Sequence, residues 1–159
     1  MSDLTIIKNN PHPHGVVGPH EHLPLIASRA MLAKRRWRGV AEDGREFGFD
    51  LDEPINPGAH FFAVGDTWYV IEQAPEDVIE IAFTTPEQAA RLAWCLGNLH
   101  FGVEVLPHAL HVTDDPAVRQ LLAREHIAFQ KINVVFQPLS AGAHHHGHDD
   151  DHEHDHHHG

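Results

Sequence analysis

Asp77-Val78-Ile79-Glu80-Ile81-Ala82-Phe83, followed by Thr85-Pro86-Glu87-Gln88, is the stretch on which the fold turns. The first segment is rich in β-branched residues and reads as a strand. The second is a helix start. Thr85 stands at the N-cap, Pro86 at the first helical position and Gln88 three residues after the cap. Ala89, Ala90, Leu92, Ala93 and Leu96 then recur at spacings of three and four, which places them on one helical face. Gly97-Asn98 is the predicted stop. Two short apolar stretches, 101–106 and 109–112, come next. Asp114-Asp115-Pro116 opens a second helix through Val118, Leu121 and Leu122 to about Glu125, and a last strand is expected over 127–136. Strand, helix, strand, strand, helix, strand is the ferredoxin-like βαββαβ order, and it predicts such a domain over 76–140.

Upstream, the rhythm is that of a small β domain over 1–75, so the chain as a whole is expected to be α+β. Leu4-Thr5-Ile6-Ile7 reads as a short strand. Asp43-Gly44 is a hairpin signature between two strand-like runs. Phe47, Phe49 and Leu51 alternate with small or acidic residues, as on a half-buried strand. Pro54 and Pro57-Gly58 break the chain, Gly65-Asp66 marks a turn, and Trp68-Tyr69-Val70-Ile71 is a further strand. Lys34-Arg35-Arg36-Trp37-Arg38 is the basic cluster. It suits an anion site, but such runs are more often solvated edge strands that resist pairing with other chains.

The formal charge of the 159 residues is −12 with neutral histidines. Duplex DNA or an anionic membrane surface would repel such a chain, which argues against nucleic-acid and membrane partners. The single cysteine, Cys95, allows no internal disulfide, and no basic-then-apolar leader opens the sequence. A soluble cytoplasmic protein is expected. Histidine is the outlier, at 18 residues. His144, His145, His146, His148, His152, His154, His156, His157 and His158 fall among five acids in a tail with no apolar residue. The segment 141–159 is therefore expected to be disordered and to bind metal, since imidazole suits Ni, Zn and Cu and carboxylates can complete a shell. Its longest histidine run is three, unlike a purification tag of six. His12, His14, His20 and His22 form two His-x-His pairs among prolines, a weaker signal of the same kind.

Elsewhere, His100 follows the predicted helix stop. A lone loop histidine is more often a solvated residue than a ligand, but a two-fold dimer makes two ligands of one histidine. His108 and His111, at spacing three, share a face only if the chain bends between them. His60 and His126 read as isolated structural residues, and Cys95 as a small buried hydrophobe. Nitrogen-rich ligands favour nickel, zinc or copper over magnesium without separating those three.

Leu96-Gly97-Asn98-Leu99-His100, His111-Val112-Thr113-Asp114-Asp115, Phe136-Gln137-Pro138 and the histidine tail, in that order, resemble the urease accessory protein E family. Asp43-Gly44-Arg45-Glu46-Phe47-Gly48 and Gly65-Asp66 resemble its N-terminal domain. The resemblance implies a nickel(II) metallochaperone with no catalysis of its own. It also implies an N-terminal domain that contacts partners and a ferredoxin-like domain that forms a homodimer. His100 from two chains would share one nickel ion, His111 would be an accessory ligand with His108 its nearest companion, and the tail would add exchanging ligands. Apo-urease and its accessory proteins, including the accessory GTPase, would be the partners. Leu99 stands where the family usually has Arg, and the histidines at 12–22 lie outside the family pattern. Two other functions compete with this one. The first is a cytosolic metal buffer in which the tail is the active part. The second is a metal-dependent hydrolase using His100, His108, His111 and Asp114 or Asp115, although no spacing matches a helical metal motif.

Overall fold

A computed structural model describes residues 4–9 and 21–139. The histidines at 12, 14 and 20, and those from 144 to 158, lie outside the described residues.

The N-terminal half holds two three-stranded sheets around one core. In the first, β4 (Glu46–Asp50) lies between β1 (Thr5–Ile7), which it pairs in parallel, and β3 (Arg36–Val40), which it pairs antiparallel. In the second, β6 (Thr67–Gln73) lies between β2 (Glu21–Ala27), parallel to it, and β5 (His60–Val64), antiparallel. Period-two alternation sorts the side chains. Phe47, Phe49, Tyr69 and Ile71 are buried in the shared core, where Phe47 makes edge-to-face contacts with Phe61, Phe62 and Tyr69. Asp43-Gly44 makes the expected turn, with Gly44 at φ 84°. Asp43 holds that turn by accepting from the Arg45 N–H at 3.0 Å and from the Tyr69 hydroxyl at 2.6 Å. The basic cluster lies on and just before the outer strand β3. Trp37 points inward and stacks on Phe49 at 4.1 Å, while Arg36 and Arg38 are exposed and Arg36 pairs with Asp50. One element departs from the all-β expectation for 25–75. Ser28 caps a short helix, α1 (Arg29–Leu32), its hydroxyl accepting from the Met31 N–H.

The C-terminal half runs β7 (Glu76–Ala82), α2 (Pro86–Asn98), β8 (Val103–Val105), β9 (Ala109–Thr113), α3 (Pro116–Arg124) and β10 (Gln130–Val134). Its four strands form an antiparallel sheet in the order β10-β7-β9-β8. Ile79, Ile81, Leu110 and Val112 meet Leu96, Val118 and Leu122 of the helices in a second core, all fully buried. Each such side chain contributes roughly 1.5–3 kcal/mol by leaving water. Both helix starts form as the sequence predicts. The Thr85 hydroxyl accepts from the Gln88 N–H and the Asp115 carboxylate from the Ala117 N–H. Gln88 reaches back to the N–H of Thr84, one residue before the cap.

Two boundaries move. The helix expected to stop at Gly97-Asn98 includes both residues, and the left-handed residue that ends it is His100. The last strand is shorter than 127–136, because Ile127 and Phe129 pack beneath the second core and Phe136 turns toward the N-terminal half. There the Gln73 side-chain amide donates to the Phe136 carbonyl at 2.7 Å, and Arg29 lies 5.0 Å over the Phe136 ring. Arg29 also makes a two-point pair with Glu76, at 2.6 and 3.1 Å.

Candidate metal site

The end of α2 sets the position of His100. Leu99 is the last capping residue, and His100 follows at φ 62°. The His100 N–H donates to the Gly97 carbonyl at 2.9 Å and the Phe101 N–H to the Leu96 carbonyl at 3.4 Å. These are the paired bonds of a left-handed C-cap, normally built on glycine, and Phe101 packs on the same core as Leu96. Histidine tolerates the left-handed region better than most residues, but a Cβ there still costs about 1 kcal/mol. His100 is exposed, and so are the preceding Leu99, at 39%, and, six residues back on α2, Trp94, at 69%.

The chain's far end returns to this point. The Leu139 N–H donates to the Val103 carbonyl at 2.9 Å. Val134 lies on β10 at one edge of the sheet and Val103 on β8 at the other, so the segment after β10 spans the sheet's width. Gly102 permits the approach, because a Cβ there would lie 2.9 Å from the Pro138 Cβ. The last described residue is therefore bonded to a residue three positions from His100. His144 follows five residues later, a reach of up to roughly 17 Å.

The other expected ligands are placed differently. His108 is exposed in the loop between β8 and β9, and its carbonyl accepts from the Phe83 N–H. His111 is 6% exposed on β9, between two strands that each present a carboxylate at its level. Its Nε2 lies 3.0 Å from Glu80 and its Nδ1 3.2 Å from Glu104. Both ring nitrogens are thus engaged, and a ligand role for His111 requires one of those contacts to open. Strand pairing creates this Glu-His-Glu row, and nothing in the local sequence announces it. Asp115 is a helix cap, and Asp114 makes a two-point pair with Arg119 at 2.6 and 2.9 Å. Arg119 holds the Asp114 carboxyl below the usual carboxylate range, chiefly through that hydrogen bond. Cys95 is half-buried on α2. His126 follows Glu125, the C-cap of α3, at φ 56°. His60 is not isolated as the sequence suggests: its ring lies 4.9 Å from that of His22. Among the described residues, no group of three or more His, Cys, Asp or Glu side chains is arranged to hold a metal ion.

Residues 76–159 match the family model described as the UreE urease accessory protein, C-terminal domain. Proteins named urease accessory protein UreE are similar over most of the chain. That of Ralstonia nicotianae is 30% identical, covering 89% of this chain and 68% of its own length. That of Streptococcus vestibularis is 31% identical, covering 70% and 75% respectively. That of Deinococcus radiodurans is 31% identical, covering 72% and 74%. The family match over more than half of the chain and these relatives together have one reading: the chain belongs to the UreE family of urease accessory proteins, chaperones of urease maturation rather than enzymes.

Proposed function

We propose that this protein carries Ni(II) as cargo and hands it to apo-urease within the maturation complex that includes the accessory GTPase, in the cytoplasm. The two halves act as separate domains on either side of residue 75, the first contacting partners and the second, ferredoxin-like, forming a homodimer. His100 from each of two chains supplies the defined site. The observation that carries this reading is an exposed histidine just past the end of α2, next to exposed Leu99, with the segment that leads into the histidine tail bonded to Val103, three residues further on. A single described chain offers one imidazole at this point, so a two-fold axis is the economical source of a second. Two imidazoles leave coordination positions open, and His144 with its followers can fill them and leave again, which suits release of cargo. Zinc and copper meet the same ligand set, so selectivity for nickel rests on supply and partner.

The test is calorimetric nickel titration of the full chain, a chain ending at Gly142 and His100→Ala, with molar mass measured alongside. The expected result is about one tight ion per dimer that survives truncation and disappears in His100→Ala. If truncation removes all tight binding and His100→Ala is silent, the reading fails. The nine tail histidines then favour a cytosolic metal buffer instead.

A further inference from the structure

Two buried side-chain nitrogens among the described residues lack a hydrogen-bond partner, Trp37 Nε1 and His60 Nε2. Trp37 is stacked in the core and its nitrogen can only donate. His60 is different, because the nitrogen of a neutral imidazole can present a lone pair to a metal, and a second imidazole lies beside it. Tyr69 and Ile71 of β6 point into the core, so Trp68 and Val70 point to the opposite face of the sheet. His22 on β2 is opposite Trp68, and His60 on β5 is opposite Val70. Both histidines therefore project from that same outward face, from strands on either side of β6. They lean over the intervening strand until their ring centres are 4.9 Å apart, at 69°.

We propose that His22 and His60 form a second metal site, on the outward face of the β2-β6-β5 sheet, for a nitrogen-binding divalent transition-metal ion. The spacing fits. With metal–nitrogen bonds of about 2.1 Å, each ring centre lies about 3.2 Å from the ion, and a 4.9 Å separation then subtends about 100° there, between the octahedral and tetrahedral angles. A buried nitrogen without a hydrogen-bond partner is unfavourable, and a bound ion removes that cost. His22 is exposed, so rotation of its side chain opens the approach to His60. Two ligands leave the rest of the shell to solvent, which makes the site an exchanging one. It is independent of His100, which lies in the other half of the chain.

The test uses the full chain and Ni(II). Equilibrium dialysis of wild type, His22→Ala, His60→Phe and the double variant counts ions per chain. His60→Phe keeps a ring in place and His22 is a surface position, so both variants should fold, as circular dichroism would verify. Each single variant is expected to lose one ion per chain, and the double variant to lose that same one and no second. His100→Ala should leave this increment intact. Trp68, whose ring lies 6.1 Å from that of His60, reports the same event: Ni(II) should quench part of the tryptophan emission in wild type, and not that part in His22→Ala or Trp68→Phe. Unchanged stoichiometry in both single variants would mean that the rings only pack edge to face, and would overturn the proposal. A loss of two ions in the double variant would overturn it as well, because the histidines would then bind separately.

Discussion

At the end of α2 the residue in the left-handed region is His100, and at the end of α3 it is His126. The two caps share their bonding. His126 donates to the Ala123 carbonyl and Ile127 to the Leu122 carbonyl, as His100 and Phe101 do to Gly97 and Leu96. In both, the residue after the histidine packs on the second core. The surroundings differ. His126 follows Arg124 and Glu125, and Glu125 takes an ion pair from Arg91 at 3.2 Å. His100 follows Leu99, the exposed apolar cap of α2. A left-handed histidine is thus a property of the cap and not a mark of a ligand. What sets His100 apart is the exposed apolar Leu99 beside it in the chain and the returning C-terminal segment, bonded at Val103.

The largest effects should treat the two ends alike. Leu96→Ala and Leu122→Ala each remove a fully buried side chain from beneath a cap, and each is expected to cost about 2–5 kcal/mol in denaturant unfolding. A cost under about 1 kcal/mol at either position would show that its cap is not anchored in the core. The next effect should separate them. His100→Ala is expected to weaken tight nickel binding by ~100-fold or more, since loss of a ligand costs at least what loss of its supporting partner does. His126→Ala is expected to leave the affinity unchanged, and equal losses in the two variants would erase the difference between the two caps.

Glycine at the same two positions brings stability back together. His100→Gly and His126→Gly should each stabilise the fold by about 1 kcal/mol, because glycine enters the left-handed region without a Cβ penalty. Only the first should cost nickel binding. The smallest effect concerns the helix starts. Thr85 caps α2 without charge, while the first turn of α3 is tied to Asp114 through Arg119. The folded Asp114 carboxyl titrates below its ordinary value, so its contribution is complete above about pH 4 and is lost as pH falls through the lowered value. Amide protection factors in the first turn of α3 should therefore drop relative to those of α2 in that acid range, and Asp114→Asn should reduce the difference, leaving the part due to the Asp115 cap.

Much of the second half was legible because its signals are local. A Thr-Pro start, an Asp-Pro start and apolar residues at helical spacing each act within one turn of chain, and all three formed where expected. Asp43-Gly44 worked in the same way. The end of α2 was misplaced because the paired cap bonds and the packing of Phe101 carried the helix through Gly97, and the choice between two adjacent stops belongs to the core. The surroundings of His111 and His60 were not legible for a related reason. Their neighbours Glu80, Glu104 and His22 come from other strands, and side chains brought together by strand pairing leave no trace in spacing along the chain.

Local sequence set the element order of the second half, the helix starts and the Asp-Gly turn, since backbone preference is a property of single residues and their near neighbours. Only the tertiary structure decided that His100 ends its helix in the left-handed region, that His111 is enclosed by two carboxylates, and that Leu139 is bonded to Val103 beside the candidate site. Each of those depends on contacts between residues distant in sequence, and it is packing of the sheet and core that chooses them.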